Sequence, residues 1–363
     1  MKKILAFNSV ALLLVMGLIM SIFTPTTAQS KTEIINWKMA TAWPAGSGLQ
    51  ENVDHWVEKV NKLAKGRLKI KVFTAGELFG AIEALPAASD GKIDLAGSTI
   101  WYAMGELPAA TVALGARIMV LTDPHEIQAW LFGGGGLELL NEYVQTRYNL
   151  KCIGGVFIES EVCWFTKPVS TLKDLKGKKI RAVGINMEFW KKLGVETVML
   201  PGSEIMPALQ RKVIDGADWT LPYTDYPAGI HKVAPYGMIG AVHQPCAWIS
   251  PVQINLDSWN KLPEDLKELL TIIGRETMHW TANERVVDNI GFWEKMKIEG
   301  AQFTRPSEDL RKEFIRVEKD MREEYRNKYP WAKKFLESQE KFHKRYLTYW
   351  HQLYPYYENP ELK

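Results

Sequence analysis

GKKIRAVGINMEFWKKLG at 177–194, continued by LPGSEIMPALQRKVIDGADWTLPYTDY at 200–226, holds a complete structural unit. Lys179 to Val183 reads as a strand and Met187 to Leu193 as a short helix. Glu204 to Lys212 reads as a second helix, bounded by Gly202 and by the turn at Asp215 and Gly216. The unit also carries chemistry. Arg181 offers a permanent charge to an anion, and Asp218 with Trp219 offers oxygen to an ion or a polar partner, in the Gly, Pro and aromatic setting that walls small pockets. No nucleophile stands beside a base here. The stretch reads as a place that holds a ligand, not one that transforms it.

Before this unit, Lys151 to Trp164 opens a second α/β region. Alternation puts Cys152, Gly154, Val156 and Ile158 on one strand face, with Glu159, Ser160 and Glu161 at its end, where a pocket opens in a parallel sheet. Nearer the N-terminus the order is strand, helix, strand, helix, strand. Ile35, Trp37, Met39 and Thr41 share a strand face. Leu49, Val53, Trp56, Val57, Val60, Leu63 and Ala64 recur at the helical period up to Gly66, and Leu68 to Phe73 alternates again. Ile82 to Ser89 reads as a helix and Ile93 to Gly97 as a short strand, so an α/β domain with a mostly parallel sheet is the economical expectation. Asp123, Pro124 and Glu126 signal a helix start, and Gly133 to Gly136 separates that helix from one over Leu137 to Tyr148. The glycine run lacks the Lys and Ser or Thr of a phosphate loop. Beyond a strand at Val252 to Leu256, Glu264 to Ala301 and Ser307 to Tyr346 read as charged helices interrupted at Gly291, Gly300, Pro306 and Pro330.

The first residues point to export. Lys2 and Lys3 precede an apolar run from Ile4 to Phe23, and Thr26 to Ala28 offers a cleavage site before Gln29; an uncleaved membrane anchor is the alternative. Removing residues 1–28 brings the formal charge from +3 to about +1, leaving a mature chain of about 335 residues, enough for two domains. Its lysines and arginines alternate with acids along 261–345, the pattern of a solvated helical surface and not of a nucleic-acid site. Cys152, Cys163 and Cys246 are too few and too scattered for a disulfide framework or a structural zinc site.

WKMATAWPAGSG at 37–48, GRLKIKVFTAGELFG at 66–80, AWLFGGG at 129–135, LKGKKIRAVG at 175–184, LPGSEIMPALQRKVIDGADWTLPY at 200–223 and VAPYG at 233–237 together carry a resemblance. In that order they resemble the extracytoplasmic solute-binding proteins of tripartite ATP-independent periplasmic (TRAP) transporters, the DctP-type family, and within it the branch of 2-oxo-acid and lactate receptors. The resemblance implies a two-domain α/β clamshell with mixed sheets and a long connecting helix, periplasmic location, and delivery of a small organic acid to a TRAP-type permease. The boundaries expected are a signal peptide at 1–28, domain I over 31–150 with about 240–260, domain II over 151–239, and connecting and C-terminal helices over 261–363.

The same resemblance assigns the ligand carboxylate to Arg181, whose planar fork takes both oxygens. It assigns to Asp218 and the Trp219 carbonyl, with Gln244, a sodium or calcium ion bridging the ligand carboxylate; no organic cofactor is implied. Tyr102 and Trp164 match family segments and join Trp43, Trp101, Trp219 and Tyr223 as aromatic walls. Two departures stand out. FIESEVCWF at 157–165 places Ser160 where the oxo-acid receptors have Gln and adds Glu159 and Glu161, and VHQPCA at 242–247 places the neutral Gln244 where they have Glu. Glu159 or Glu161 either restores the missing anionic ligand or selects an amine or hydroxyl on a different organic acid. Because residues 159 and 161 share a strand face opposite 160, they do not all point into one pocket unless the strand bends. The neutral Gln244 favours sodium over calcium.

The enzyme alternative, an exported α/β enzyme acting on a small carboxylate, finds no G-x-S-x-G elbow, H-E-x-x-H helix or G-x-G-x-x-G loop. The seven histidines are scattered, with His243 beside Gln244 the one nearest the expected site. Apolar and aromatic positions from Ile315 to Tyr356 serve either a homodimer contact or packing on the chain's own domains.

Overall fold

The computed structural model describes residues 34–114, 117–121, 124–159, 161–240, 246–249 and 252–353. The proposed leader at 1–28, Ser160 and the stretch holding His243 and Gln244 lie outside them.

Alternation in β1 (Ile35–Thr41) buries Trp37, Met39 and Thr41 and makes it a central strand. It pairs in parallel with β2 (Leu68–Phe73) and β3 (Leu95–Gly97), so each connection must cross over a sheet face. The first crossover is α1 (Gly48–Leu63), started by the Ser47 hydroxyl, which accepts from the Gln50 N–H at 3.3 Å. Its apolar stripe of Leu49, Val53, Trp56, Val57 and Val60 is buried on the sheet. A second crossover, α2 (Ala84–Ser89), leads to β3. Helices α3 (Pro124–Gly133) and α4 (Gly136–Val144) follow, and Gly135, with φ of +85°, makes the turn between them.

The strand read as continuous from Cys152 to Ile158 is in fact two. β4 (Leu150–Cys152) belongs to the first sheet, whereas β5 (Val156–Glu159) forms a separate ribbon. Gly154 between them explains the break. A Cβ there would lie 2.6 Å from the carbonyl carbon of Gly274, so the backbone is pressed against a distant helix instead of continuing the ladder.

The chain then builds a second sheet from β6 (Cys163–Phe165), β7 (Lys179–Arg181), β8 (Glu196–Val198), β9 (Gly216–Asp218) and β10 (Tyr236–Met238). Between these lie α5 (Ile185–Lys192), α6 (Gly202–Gln210) and α7 (Pro222–Ala228). β7 runs parallel to β8 and β9, while β6 is antiparallel to β9 and β10. β11 (Cys246–Ile249) completes the ribbon with β5, and β12 (Gln253–Asn255) returns to the first sheet, inserting antiparallel between β3 and β4. The first sheet thus reads β2-β1-β3-β12-β4.

Helix α8 (Glu264–Ile298) runs unbroken through Gly291. A helical glycine costs only about 1 kcal/mol, too little to end a helix of 35 residues. At roughly 1.5 Å per residue it is long enough to touch α1 of the first sheet, the ribbon strand β5 and α7 of the second. β13 (Gln302–Thr304) adds to the second sheet beside β10, whose order is β13-β10-β6-β9-β7-β8. The chain ends in α9 (Glu308–Lys328), which packs on α5, and α10 (Pro330–Leu353), which packs on α3 and α4. Val317, Met321, Tyr325 and Phe335 are buried in the chain's own core, while Phe342, Tyr346 and Trp350 stack along the half-exposed end of α10. Among the described residues no helix is long and apolar enough to cross a membrane.

Candidate functional site

The carboxyl ends of the parallel strands in both sheets face a common cavity. β1 and β3 of the first sheet lead into Trp43, Thr99, Trp101 and Tyr102; β7 and β9 of the second lead into Arg181, Val183, Trp219 and Thr220; Glu161 enters just before β6. This is where open α/β sheets bind ligands, because loops of variable sequence leave a rigid edge there. The enclosed space is about 20 Å³, on the order of one water molecule.

Arg181, the last residue of β7, is 3% exposed. Its Nε donates to the Leu200 carbonyl at 3.0 Å and its Nη1 to the Asp218 carbonyl at 2.8 Å, so two strand ends fix the guanidinium plane. The Tyr102 hydroxyl also meets it, and burial raises that phenol above its usual range while Arg181 pulls it back. Trp219 lies with its ring centroid 5.0 Å from the Arg181 Cζ, within cation–π range. Its indole has room only because residue 202 is glycine, where a Cβ would come 2.3 Å from the ring.

The pairing of β6 with β9 sets the acidic side of the site. Cys163 stands opposite Asp218, and the ladder extends through the Val162 N–H to the Thr220 carbonyl at 2.9 Å. Alternation then puts Glu161, Cys163, Asp218 and Thr220 on one face. The Glu161 and Asp218 carboxyl groups share a hydrogen bond, and both residues are almost wholly buried. Burial pushes Glu161 up to about 7 against the opposing pull of that bond, of Arg181 and of Arg117. Asp218 also accepts from the Trp190 indole N–H at 3.5 Å. Behind them Arg117, fully buried, lies 3.3 Å above the Phe189 ring and pairs with Glu318 at 3.1 Å.

Of the side chains expected from sequence to touch or wall in ligand, the cavity wall thus contains Arg181, Glu161, Trp43, Trp101, Tyr102 and Trp219. Asp218 stands one layer back, against Glu161. Trp164 is deeper: its indole donates to Asp225 Oδ2 at 2.7 Å and packs edge-on to Phe303. Glu159 is placed by its backbone at the end of β5, opposite Cys246. Sequence reasoning passed over Thr220, Asp225 and Arg117. Thr220 had a signal, since it stands two residues after Asp218 on the same strand face. Asp225, whose carboxyl burial pushes to about 8, had none.

A hard cation suits these donors. Among the described residues no three His, Cys, Asp or Glu side chains converge as a metal centre, so an ion would rest on Asp218, Glu161, main-chain oxygens and the ligand. Cys152 and Cys163 are both buried and form no disulfide.

Residues 39–328 match the bacterial extracellular solute-binding protein family 7 (DctP). The chain belongs to this family. Among relatives of this solute-binding protein is the monocarboxylate 2-oxoacid-binding periplasmic protein of Nostoc sp., 30% identical over 67% of this chain and 66% of that one, just under two thirds of its length. The TRAP transporter solute-binding protein of Bordetella bronchiseptica RB50 superposes with a TM-score of 0.81 at 25% identity, covering 91% of this chain and 97% of that one. Its crystal holds a dimer with calcium and picolinate in one active site. A TRAP solute-binding protein of Pseudoalteromonas atlantica T6c, crystallised with sodium and pyruvate, has a TM-score of 0.80 at 23% identity over 90% of this chain and 99% of that one. The two-domain α/β fold of periplasmic solute receptors is therefore the fold of this chain, and its family is periplasmic.

Proposed function

We propose that this protein, exported by loss of residues 1–28, binds a small 2-oxo or 2-hydroxy monocarboxylate between its two sheets and passes it unchanged to a TRAP-type permease. The observation that carries the reading is the Arg181 guanidinium, held by two carbonyls at a cavity wall that both sheets share. The ligand's carboxylate takes the remaining edge of the fork, the Trp43, Trp101, Tyr102 and Trp219 rings exclude water, and a sodium or calcium ion near Asp218, the Trp219 carbonyl and Gln244 bridges the same carboxylate. Ser160, Glu159 and Trp164 tune the surroundings. Domain I comprises 31–150 with about 240–260, domain II 151–239, and the helices of 261–363 tie them.

Calorimetric titration of the mature protein against 2-oxo acids, lactate, short dicarboxylates, sugar acids and amino acids tests this reading. Arg181→Ala should lose at least ~2 kcal/mol of binding, since the ligand's buried charge then has no partner. Unchanged affinity in that variant, or chemical conversion of the ligand, would refute it. Pairing with a second copy of the chain is part of the proposal, with the exposed end of α10 as the contact; a single monomeric species at every concentration in sedimentation removes that part.

A further inference from the structure

We propose that Tyr223 is a positioning residue for ligand binding: its hydroxyl, held by Asn52, latches α1 of the first sheet to α7 of the second and so sets how long a bound acid stays in the cavity. This role rests on the carboxylate-receptor reading and deepens it, since it places part of the affinity on a residue that touches no ligand.

The sequence points to Tyr223 as an aromatic wall of the site, yet the ring stands outside the cavity lining. It is buried where α1, α7 and α8 meet. Asn52 of α1, itself buried, donates from Nδ2 to the Tyr223 hydroxyl at 2.9 Å. Arg285 of α8 fixes which way that amide points, because its Nε donates to Asn52 Oδ1 at 3.1 Å and leaves the amide nitrogen for the tyrosine. The same guanidinium carbon lies 5.0 Å from the Tyr223 ring centroid, within cation–π range. One turn further along α8, Asn289 Oδ1 accepts from the Tyr223 backbone N–H at 3.0 Å. α1 comes this close only because residue 48 is glycine, where a Cβ would stand 2.6 Å from the tyrosine ring.

The contact joins the two walls of the cavity from outside it. α1 follows β1 and Trp43, and α7 follows β9, Trp219 and Thr220. Among the described residues, Asn52 to Tyr223 is the only side-chain hydrogen bond between the two helices. About 20 Å³ lies between the walls, so an acid larger than a water is admitted only by displacing one wall from the other. A bond made when the walls are together and broken when they separate adds to ligand affinity, because the ligand then draws on an equilibrium already tilted toward closure. The bond is buried on both sides, so its loss leaves the Asn52 amide without a partner in a dry setting.

Stopped-flow tryptophan fluorescence on the mature protein, with pyruvate as the probe, tests the latch. Tyr223→Phe keeps the ring and removes the hydroxyl. Pyruvate should leave this variant about tenfold faster and bind about tenfold more weakly, with an association rate within about twofold of wild type. Asn52→Ala should do at least as much, and the double variant no worse than Asn52→Ala alone, since both changes remove one bond. Reduced stability in urea with a wild-type dissociation rate would make Tyr223 a core residue only and overturn the proposal, as would additive losses in the double variant. X-ray scattering from the ligand-free protein reads the same latch without a ligand: Tyr223→Phe should enlarge the radius of gyration. Failure of pyruvate and of every other acid in the panel to bind the wild type sinks the receptor reading and leaves scattering to decide, where an enlarged radius sustains the latch and an unchanged one overturns it.

Discussion

Arg181 Nη1 donates to the main-chain oxygen of Asp218 at 2.8 Å, so the guanidinium at the cavity wall is fixed to the residue whose carboxyl faces Glu161. The positive and negative sides of the cavity are therefore one rigid unit. Moving either displaces the other.

Arg181→Lys tests that rigidity. A lysine has one nitrogen where the arginine bridges Leu200 and Asp218 with two, so one carbonyl loses its partner and the charge loses its fixed direction. Ligand affinity should fall at least about tenfold, and stability by ~1–3 kcal/mol. Calorimetry and urea denaturation measure the two losses separately.

Gly202→Ala should affect binding without touching a ligand group. Its Cβ would sit 2.3 Å from the Trp219 ring, so the indole must swing from its place beside Arg181. Weaker ligand affinity with a shifted tryptophan emission maximum is the expected outcome. Wild-type affinity would show that the indole's position is immaterial.

Gly154 and Gly291 should respond oppositely to alanine. At Gly154 the new methyl meets the Gly274 backbone, which has no flexible end to give, and the cost should be ~1–3 kcal/mol or more. Gly291 lies within α8 with open space around it, so alanine should stabilise by about 1 kcal/mol. Chemical denaturation of both variants decides.

Asp225 predicts a pH dependence. Burial holds its carboxyl up to about 8, against 3.8 for an unburied one, although the Trp164 indole and the Thr220 hydroxyl both bond it. Between about pH 4 and pH 8 the unfolded chain releases this proton and the folded chain keeps it. The contribution is thus complete below pH 4 and is lost as pH rises to about 8, with a slope of up to about 1.4 kcal/mol per unit. Asp225→Asn should flatten that part of the stability curve. An unchanged slope would mean that the group ionises normally.

Much of the fold is legible because its signals are local. β1, α1 and β2 each follow from the spacing of apolar residues, and β7 with Arg181 follows from a short strand before Gly184. The break after Cys152 depends on Gly274, more than a hundred residues away, and no window around Gly154 contains it. The same limit applies to the acidic wall. Alternation treats Glu159 and Glu161 as one face of one strand, yet β5 ends at Glu159 and β6 begins at Cys163, so Glu161 takes its direction from the β9 ladder. Asp225 lies between Tyr223 and Tyr226 in α7, and its burial is set by contact with the Trp164 indole, 61 residues earlier in the chain.

The place of β12 bears on how the chain is made. Because Gln253–Asn255 fills the gap between β3 and β4, a nascent chain that has reached only residue 240 carries two strands with raw edges and cannot close its first sheet. Native structure must await the late arrival of this strand, and pairings over such sequence distances form slowly. The export proposed for this chain would gain from that delay, since a polypeptide crossing as an open thread stays slack until most of it is through.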